Sequence, residues 1–234
     1  MKNIAIIIAG GIGQRMKSYI PKQFINIYDK PAIIYTLEKF QNHEMIDVIE
    51  VVCLDGWQHV LSAYANEHKI TKLKHIIKGG ANGQESIKNG ILELKKYYNN
   101  DDLVVIHDAI RPNVSKEIIT NAINVAKEKS NAITVIACKE AMMETEDSIS
   151  SSSSYPRDKL KRTQTPQVFF LGDILDAHNR AAELGITDAI ASCDLFTRLG
   201  RQIYFTEGSE KNIKLTTSED LDIFKALLKL DNEK

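Results

Sequence analysis

Several features are scarce or missing in this 234-residue chain, and each absence excludes something. Cysteine occurs three times, at Cys53, Cys138 and Cys193, without a C-x-x-C pair. So sparse and odd a set excludes a disulfide framework and a zinc site. Charge of one sign is not in excess, because 30 Lys and Arg stand against 31 Asp and Glu, a net charge of −1. A global basic field is therefore absent, and bulk nucleic-acid affinity with it. Long apolar runs are missing too. The run at residues 4–9 falls far short of the ~20 residues of a membrane span. No secretory leader is read there, so the expected location is the cytoplasm, with neither membrane nor nucleic acid as partner.

The chain otherwise has an ordinary globular composition, 43% hydrophobic and 26% charged. Its length suits one α/β domain over residues 1–234. Apolar runs at 4–9, 48–54, 73–77, 103–107, 132–138 and 202–206 read as strands. Amphipathic stretches at 31–40, 57–68, 86–97, 116–129, 173–184 and 194–199 read as helices, with Ser115 capping the fourth. A last helix starts at Thr217, where Asp220 completes a pattern like a capping box. This alternation predicts a mostly parallel twisted sheet with helices on both faces. The pattern breaks over 139–167, which has no helix of useful length and carries five consecutive serines at 150–154. Such a polar run builds no core, and so long an excursion is either functional or disordered.

Two segments carry chemistry. The first is Ala9-Gly10-Gly11-Ile12-Gly13-Gln14-Arg15-Met16, directly after the first strand. Glycines there let backbone N–H groups turn towards phosphate oxygens. Met16 replaces the third glycine of a dinucleotide fingerprint, and no Gly-Lys-Ser/Thr triplet completes a P-loop. The loop instead leads into a pair of cations, Arg15 and Lys22, with Pro21 stiffening the approach to Lys22; the pair suits a polyphosphate. The second segment is His107-Asp108-Ala109-Ile110-Arg111-Pro112, ending the fourth strand at the same sheet edge. Asp108 beside Arg111 is either a structural ion pair or a holder of metal, sugar hydroxyl or phosphate, and His107 reads as structural. Lys214, in Asn212-Ile213-Lys214-Leu215-Thr216, reads as lying on a short strand before the last helix.

Taken in order, these segments, with Pro21-Lys22-Gln23-Phe24, Gly79-Gly80 and Gln164-Thr165-Pro166-Gln167, resemble the cytidylyltransferases that make CDP-methylerythritol or CDP-ribitol from CTP and an alditol phosphate. The resemblance implies a Rossmann-like nucleotidyltransferase sheet in one domain, whose 139–167 insertion is a protruding dimerisation arm. It implies that CTP lies on Ala9, Gly10, Gly11 and Gly13, with Gly80, Ser86 and Ala109 also nucleotide-binding. Arg15, Lys22 and Lys214 match the catalytic cations. Asp108, Arg111, Arg157 and Thr165 match substrate-binding positions, and Asp108 is also the metal candidate, for Mg²⁺ or another divalent cation. Arg157 and Thr165 are expected to complete the pocket of the neighbouring subunit in a homodimer.

The chain departs from the family pattern at Gly83, where an Arg is usual, at Ala81, often acidic, and at Glu140-Ala141, commonly Asp-Thr. Ser192-Cys193-Asp194, Pro21-Lys22-Gln23-Phe24 and Trp57 lean towards the ribitol-phosphate branch. The alternatives are the methylerythritol-phosphate enzyme of isoprenoid precursor synthesis and a non-catalytic nucleotide-binding protein.

Overall fold

The structure, a computed structural model, describes residues 1–11 and 20–232. Its centre is a seven-stranded sheet. In chain order the strands and helices begin with β1 (Asn3–Ala9), β2 (Asn26–Ile27), β3 (Lys30–Pro31), α1 (Ala32–Gln41), β4 (Val48–Cys53) and α2 (Gln58–Glu67). Next come β5 (Leu73–Lys78), α3 (Gly83–Leu94), β6 (Leu103–Asp108), α4 (Lys116–Lys129) and β7 (Asn131–Ala137). The chain continues through β8 (Met142–Glu144), β9 (Ser153–Tyr155), β10 (Lys161–Phe170), α5 (Leu171–Glu183), α6 (Ser192–Arg198), β11 (Phe205–Glu207) and α7 (Ser218–Asn232). The sheet order is β11-β7-β10-β6-β1-β4-β5. Every neighbouring pair is parallel except those made by β10, which runs antiparallel to both β6 and β7.

The period-2 alternation of β1 divides the core into two layers. Ala5, Ile7 and Ala9 face the layer that holds Ile33, Leu37, Leu61 and Ile119, from α1, α2 and α4. Ile4 and Ile6 face the layer of Ile91, Ile174 and Phe196, from α3, α5 and α6. A smaller cluster seats α7 through Phe224 against Tyr35, Ile110 and Leu215. The expected caps are present: the Ser115 hydroxyl accepts from the N–H of Ile118, and Asp220 and Thr217 cap each other reciprocally.

Three expectations change. The polar break is shorter than 139–167, because residues 161–170 form β10 in the middle of the sheet. Its first half is polar because it borders a cleft at the sheet edge, which Thr163, Gln164 and Thr165 line. Pro166 falls where the register with β7 shifts between Thr163 and Gln167. Excursion residues 138–160 therefore join the ends of an antiparallel pair, Ala137 opposite Lys161, and β8 pairs with β9 within them. Lys214 lies outside any strand, and the last strand begins at Phe205, not at 202.

Among the described residues, no helix is long and apolar enough to cross a membrane. The three cysteines are buried and unbridged.

Candidate active site

Parallel strands end at one edge of the sheet, and the crevice beyond their carboxyl ends is where ligands bind in such folds. Here β1 and β6 are adjacent, with Ile8 opposite Asp108. A cleft of about 540 Å³ opens at their ends. That volume falls within the usual range of small-molecule sites.

Gly10 and Gly11 follow β1 into the cleft. Gly10 passes so close to α3 that a Cβ there would stand 3.2 Å from the Ser86 hydroxyl. That hydroxyl accepts from the Gly80 N–H at 3.0 Å. Gln23, buried beneath the loop, donates from Nε2 to the carbonyls of Ala9 (2.7 Å) and Gly11 (3.0 Å). Pro21-Lys22-Gln23-Phe24 forms a tight turn whose Phe24 ring stacks on Trp57, centroids 4.6 Å apart. Two segments that lean towards one branch of the family are thus in contact, and together they set Lys22 at the cleft.

On the β6 side an ion network forms. Arg111 Nε donates to Asp108 Oδ2 at 3.1 Å, and Lys214 Nζ stands 3.0 Å from the same oxygen. Burial alone would raise the Asp108 carboxyl, but the cations of Lys214 and Arg111 outweigh it and hold it below the usual aspartate value. Asp108 is the only acid among the described residues lining the cleft. Lys214 reaches it because its chain is pinned on both sides. The Leu215 N–H donates to Ile110 O, and Arg111 donates to Asn212 O at 2.7 Å. The Asn212 amide in turn holds Thr165 O and the Gln164 side chain.

His107, read from the sequence as structural, is fully buried at the base of the cleft. Its Nε2 bonds the Arg111 carbonyl at 3.0 Å, so that nitrogen carries the hydrogen. Nδ1 then accepts from the Thr165 hydroxyl at 3.1 Å. Burial drops its pKa to about 4, so it is neutral near pH 7. Thr165 also accepts from the Asp108 N–H. It lines the cleft of its own chain, although it was expected to reach a neighbour.

Of the predicted site residues, the cleft gathers Ala9, Gly10, Gly11, Lys22, Gly80, Ser86, Asp108, Ala109, Arg111, Thr165 and Lys214. Arg157 lies outside it, on the exposed excursion, where its guanidinium donates to Lys139 O. Gly13 and Arg15 fall outside the described residues. Sequence reasoning missed the lining role of Gln84, Gln164, Gln167 and the 189–192 stretch. The glutamines had a weak signal, polar residues bordering apolar runs; Ile190 had none.

The chain is similar to known proteins over nearly its whole length. The family matching residues 3–230 is IspD, 2-C-methyl-D-erythritol 4-phosphate cytidylyltransferase. A ribitol-5-phosphate cytidylyltransferase of Lacticaseibacillus paracasei is 40% identical over 227 residues, 96% of this chain and 97% of that protein. A 2-C-methyl-D-erythritol 4-phosphate cytidylyltransferase of Clostridium botulinum is 37% identical over 229 residues, 97% of each chain. The crystal structure of the Francisella tularensis 2-C-methyl-D-erythritol 4-phosphate cytidylyltransferase superposes with a TM-score of 0.81 at 26% identity, covering 97% of this chain and 99% of that one. With its sheet and nearly its whole length matched by these relatives, the chain belongs to the IspD family of cytidylyltransferases.

Proposed function

We propose that the chain transfers a cytidylyl group from CTP to ribitol 5-phosphate, or an alditol phosphate very like it, releasing pyrophosphate. The observation that carries this reading is the convergence of Lys22, Arg111 and Lys214 on one cleft beside Gly10 and Gly11. Two anions must meet there, and fixed cations offset their repulsion. Ribitol is favoured as acceptor because the relatives at 38–40% identity carry that name, against 36–37% for the methylerythritol enzymes.

In this reading a phosphate oxygen of the acceptor attacks the α-phosphorus of CTP in line. The new P–O bond forms as the bond to the β-phosphate bridging oxygen breaks, and pyrophosphate leaves. Lys22, with Arg15 from the same loop, neutralises the triphosphate; Lys214 and Arg111 hold the acceptor phosphate and the developing charge. Thr165, oriented by His107, holds the Asp108 backbone in place. Holding both substrates in line supplies much of the remaining acceleration. No covalent nucleophile is needed.

A divalent cation fits this donor set. Mg²⁺ that rides on a triphosphate takes only one or two protein carboxylates, and Asp108 lines the cleft. When bound it would neutralise phosphate oxygens. Among the described residues no three acidic, histidine or cysteine side chains cluster as a metal cage, so the nucleotide would supply the other ligands. We further assign a cytoplasmic location and a homodimer built through the excursion, in which Arg157 serves the partner's acceptor.

The test is product identification. Incubating the protein with CTP, Mg²⁺ and ribitol 5-phosphate should give CDP-ribitol and pyrophosphate in equal amounts. Tight CTP binding with no product from any alditol phosphate would favour the non-catalytic alternative.

A further inference from the structure

Residues 186–191 lie between α5 and α6, residues 189–191 line the cleft, and the backbone of the segment is tied down at nearly every step. The Ile186 carbonyl accepts from Gln84 Nε2 at 2.7 Å, and the Ala189 N–H donates to Gln84 Oε1 at 2.8 Å. Asn82 donates to Thr187 O at 3.2 Å, and the Ile190 N–H donates to Asp194 at 3.0 Å. Arg198 bridges Asp188 and Asp194 from outside. This tethering buries Ala189 yet leaves Ile190 89% exposed at the cleft. A loop so firmly held presents an apolar side chain to water.

The first turn of α3, where Gln84 resides, lines the cleft beside this stretch. The residues that these two segments contribute to the cleft, among them Ala81, Asn82, Ser86, Ala189, Ile190 and Ala191, carry no charge. Lys22, Arg111 and Lys214 belong to other segments of the cleft. A part of the cleft with apolar and neutral polar groups suits the uncharged half of a nucleotide, and the cations suit its phosphates.

We infer that Gln84 is a positioning residue for the nucleoside half of CTP. Its amide fixes the 186–191 segment against the start of α3, and Ile190, held at the cleft, packs on the base and ribose. This rests on the reading of the cleft as a CTP site.

The test compares wild type with Gln84→Ala and Gln84→Glu. Removing the amide leaves the buried Ala189 N–H without its acceptor, a loss worth about tenfold or more in an equilibrium. In the ligand-free protein Gln84→Ala should speed hydrogen exchange at Ala189 and Ile190 about tenfold while β1 and β6 amides stay protected. In turnover it should raise the KM for CTP about tenfold, with kcat and acceptor KM within about twofold of wild type. Gln84→Glu keeps an acceptor for Ala189 but sets an acceptor oxygen against the Ile186 carbonyl, so its exchange and its CTP KM should both fall between those of wild type and Gln84→Ala. It also carries the test should the alanine variant not fold. A loosened loop with unchanged CTP KM, or an acceptor KM that rises as much as that for CTP, overturns the assignment. If wild type makes no product, the functional reading fails separately. CTP affinity by calorimetry then decides this one: a tenfold loss in Gln84→Ala upholds it, and equal affinity overturns it.

Discussion

Lys214 joins two parts of the chain that the sequence keeps 106 residues apart, and its contact with Asp108 defines the site at the residue scale. Replacing Lys214 by Ala should lower kcat by ~10²-fold, as loss of a preorganised stabilising group does. The fold should persist, since Asp108 keeps Arg111; an unchanged kcat in steady-state assays would remove Lys214 from the chemistry. A second residue matters for stability. Glu50, on β4, is fully buried with neither carboxyl oxygen hydrogen-bonded among the described residues. It lies against Gly90, where a Cβ would stand 2.8 Å from Oε1. Burial, with a smaller push from Glu93, lifts its pKa to about 9. The folded state therefore keeps a proton that the unfolded state releases above its ordinary value near 4.5. Stability contributed by this group falls as pH rises through the window from 4.5 to about 9, by at most ~1.4 kcal/mol per pH unit. Urea denaturation of Glu50→Gln against wild type should show a stability difference growing in the variant's favour across that window. A difference independent of pH would mean that Glu50 is ionised in the fold. No sequence signal marked Glu50, because a Glu in an apolar strand is indistinguishable from one on a solvent face until the covering helix is known.

At the scale of elements, the sequence was legible wherever apolar periodicity set the structure. The 116–129 helix and its Ser115 cap, and the Thr217–Asp220 start of α7, are where the residues predicted them. Legibility failed at β10, a central strand whose leading half is Lys161-Arg162-Thr163-Gln164-Thr165-Pro166. Its buried glutamines are satisfied by side-chain hydrogen bonds, Gln164 to Ser209 and Asn212 and Gln167 to Cys193, which hydropathy cannot anticipate. The same geometry yields a prediction. Because β7 and β10 already pair across the base of the excursion, a short turn can replace residues 139–159 without breaking the sheet. Such a variant should keep its thermal midpoint and CTP affinity, sediment as a monomer and show a raised acceptor KM. A variant that remains dimeric would locate the contact elsewhere. Arg157→Ala in the intact chain should reproduce the acceptor effect alone, measured as KM for ribitol 5-phosphate, and an equal loss of CTP affinity would contradict the role given to the excursion.

Across the whole molecule, a chain of net charge −1 gathers Lys22, Arg111 and Lys214 into one cleft by folding segments from the β1, β6 and α7 ends onto a single sheet edge. Gly10 and Asp108 could be assigned to that edge from the sequence because they follow apolar runs. Lys214 and Thr165 could be assigned only through the resemblance, since the ties that place them run through Asn212, Ile110 and His107, far away in sequence. The same convergence supports the proposed reading that the cleft couples CTP to an alditol phosphate, and the names of the 38–40% identical relatives favour ribitol as its skeleton. The decisive measurement is pyrophosphate release with CTP and Mg²⁺, made side by side on ribitol 5-phosphate and methylerythritol 4-phosphate, with ATP, GTP and UTP as nucleotide controls. Release should require CTP, with kcat/KM for ribitol 5-phosphate at least ~10-fold above that for methylerythritol 4-phosphate, about the discrimination one well-placed contact provides. Equal or reversed efficiencies would contradict the ribitol assignment, and no release with either acceptor would contradict cytidylyl transfer to these alditol phosphates itself.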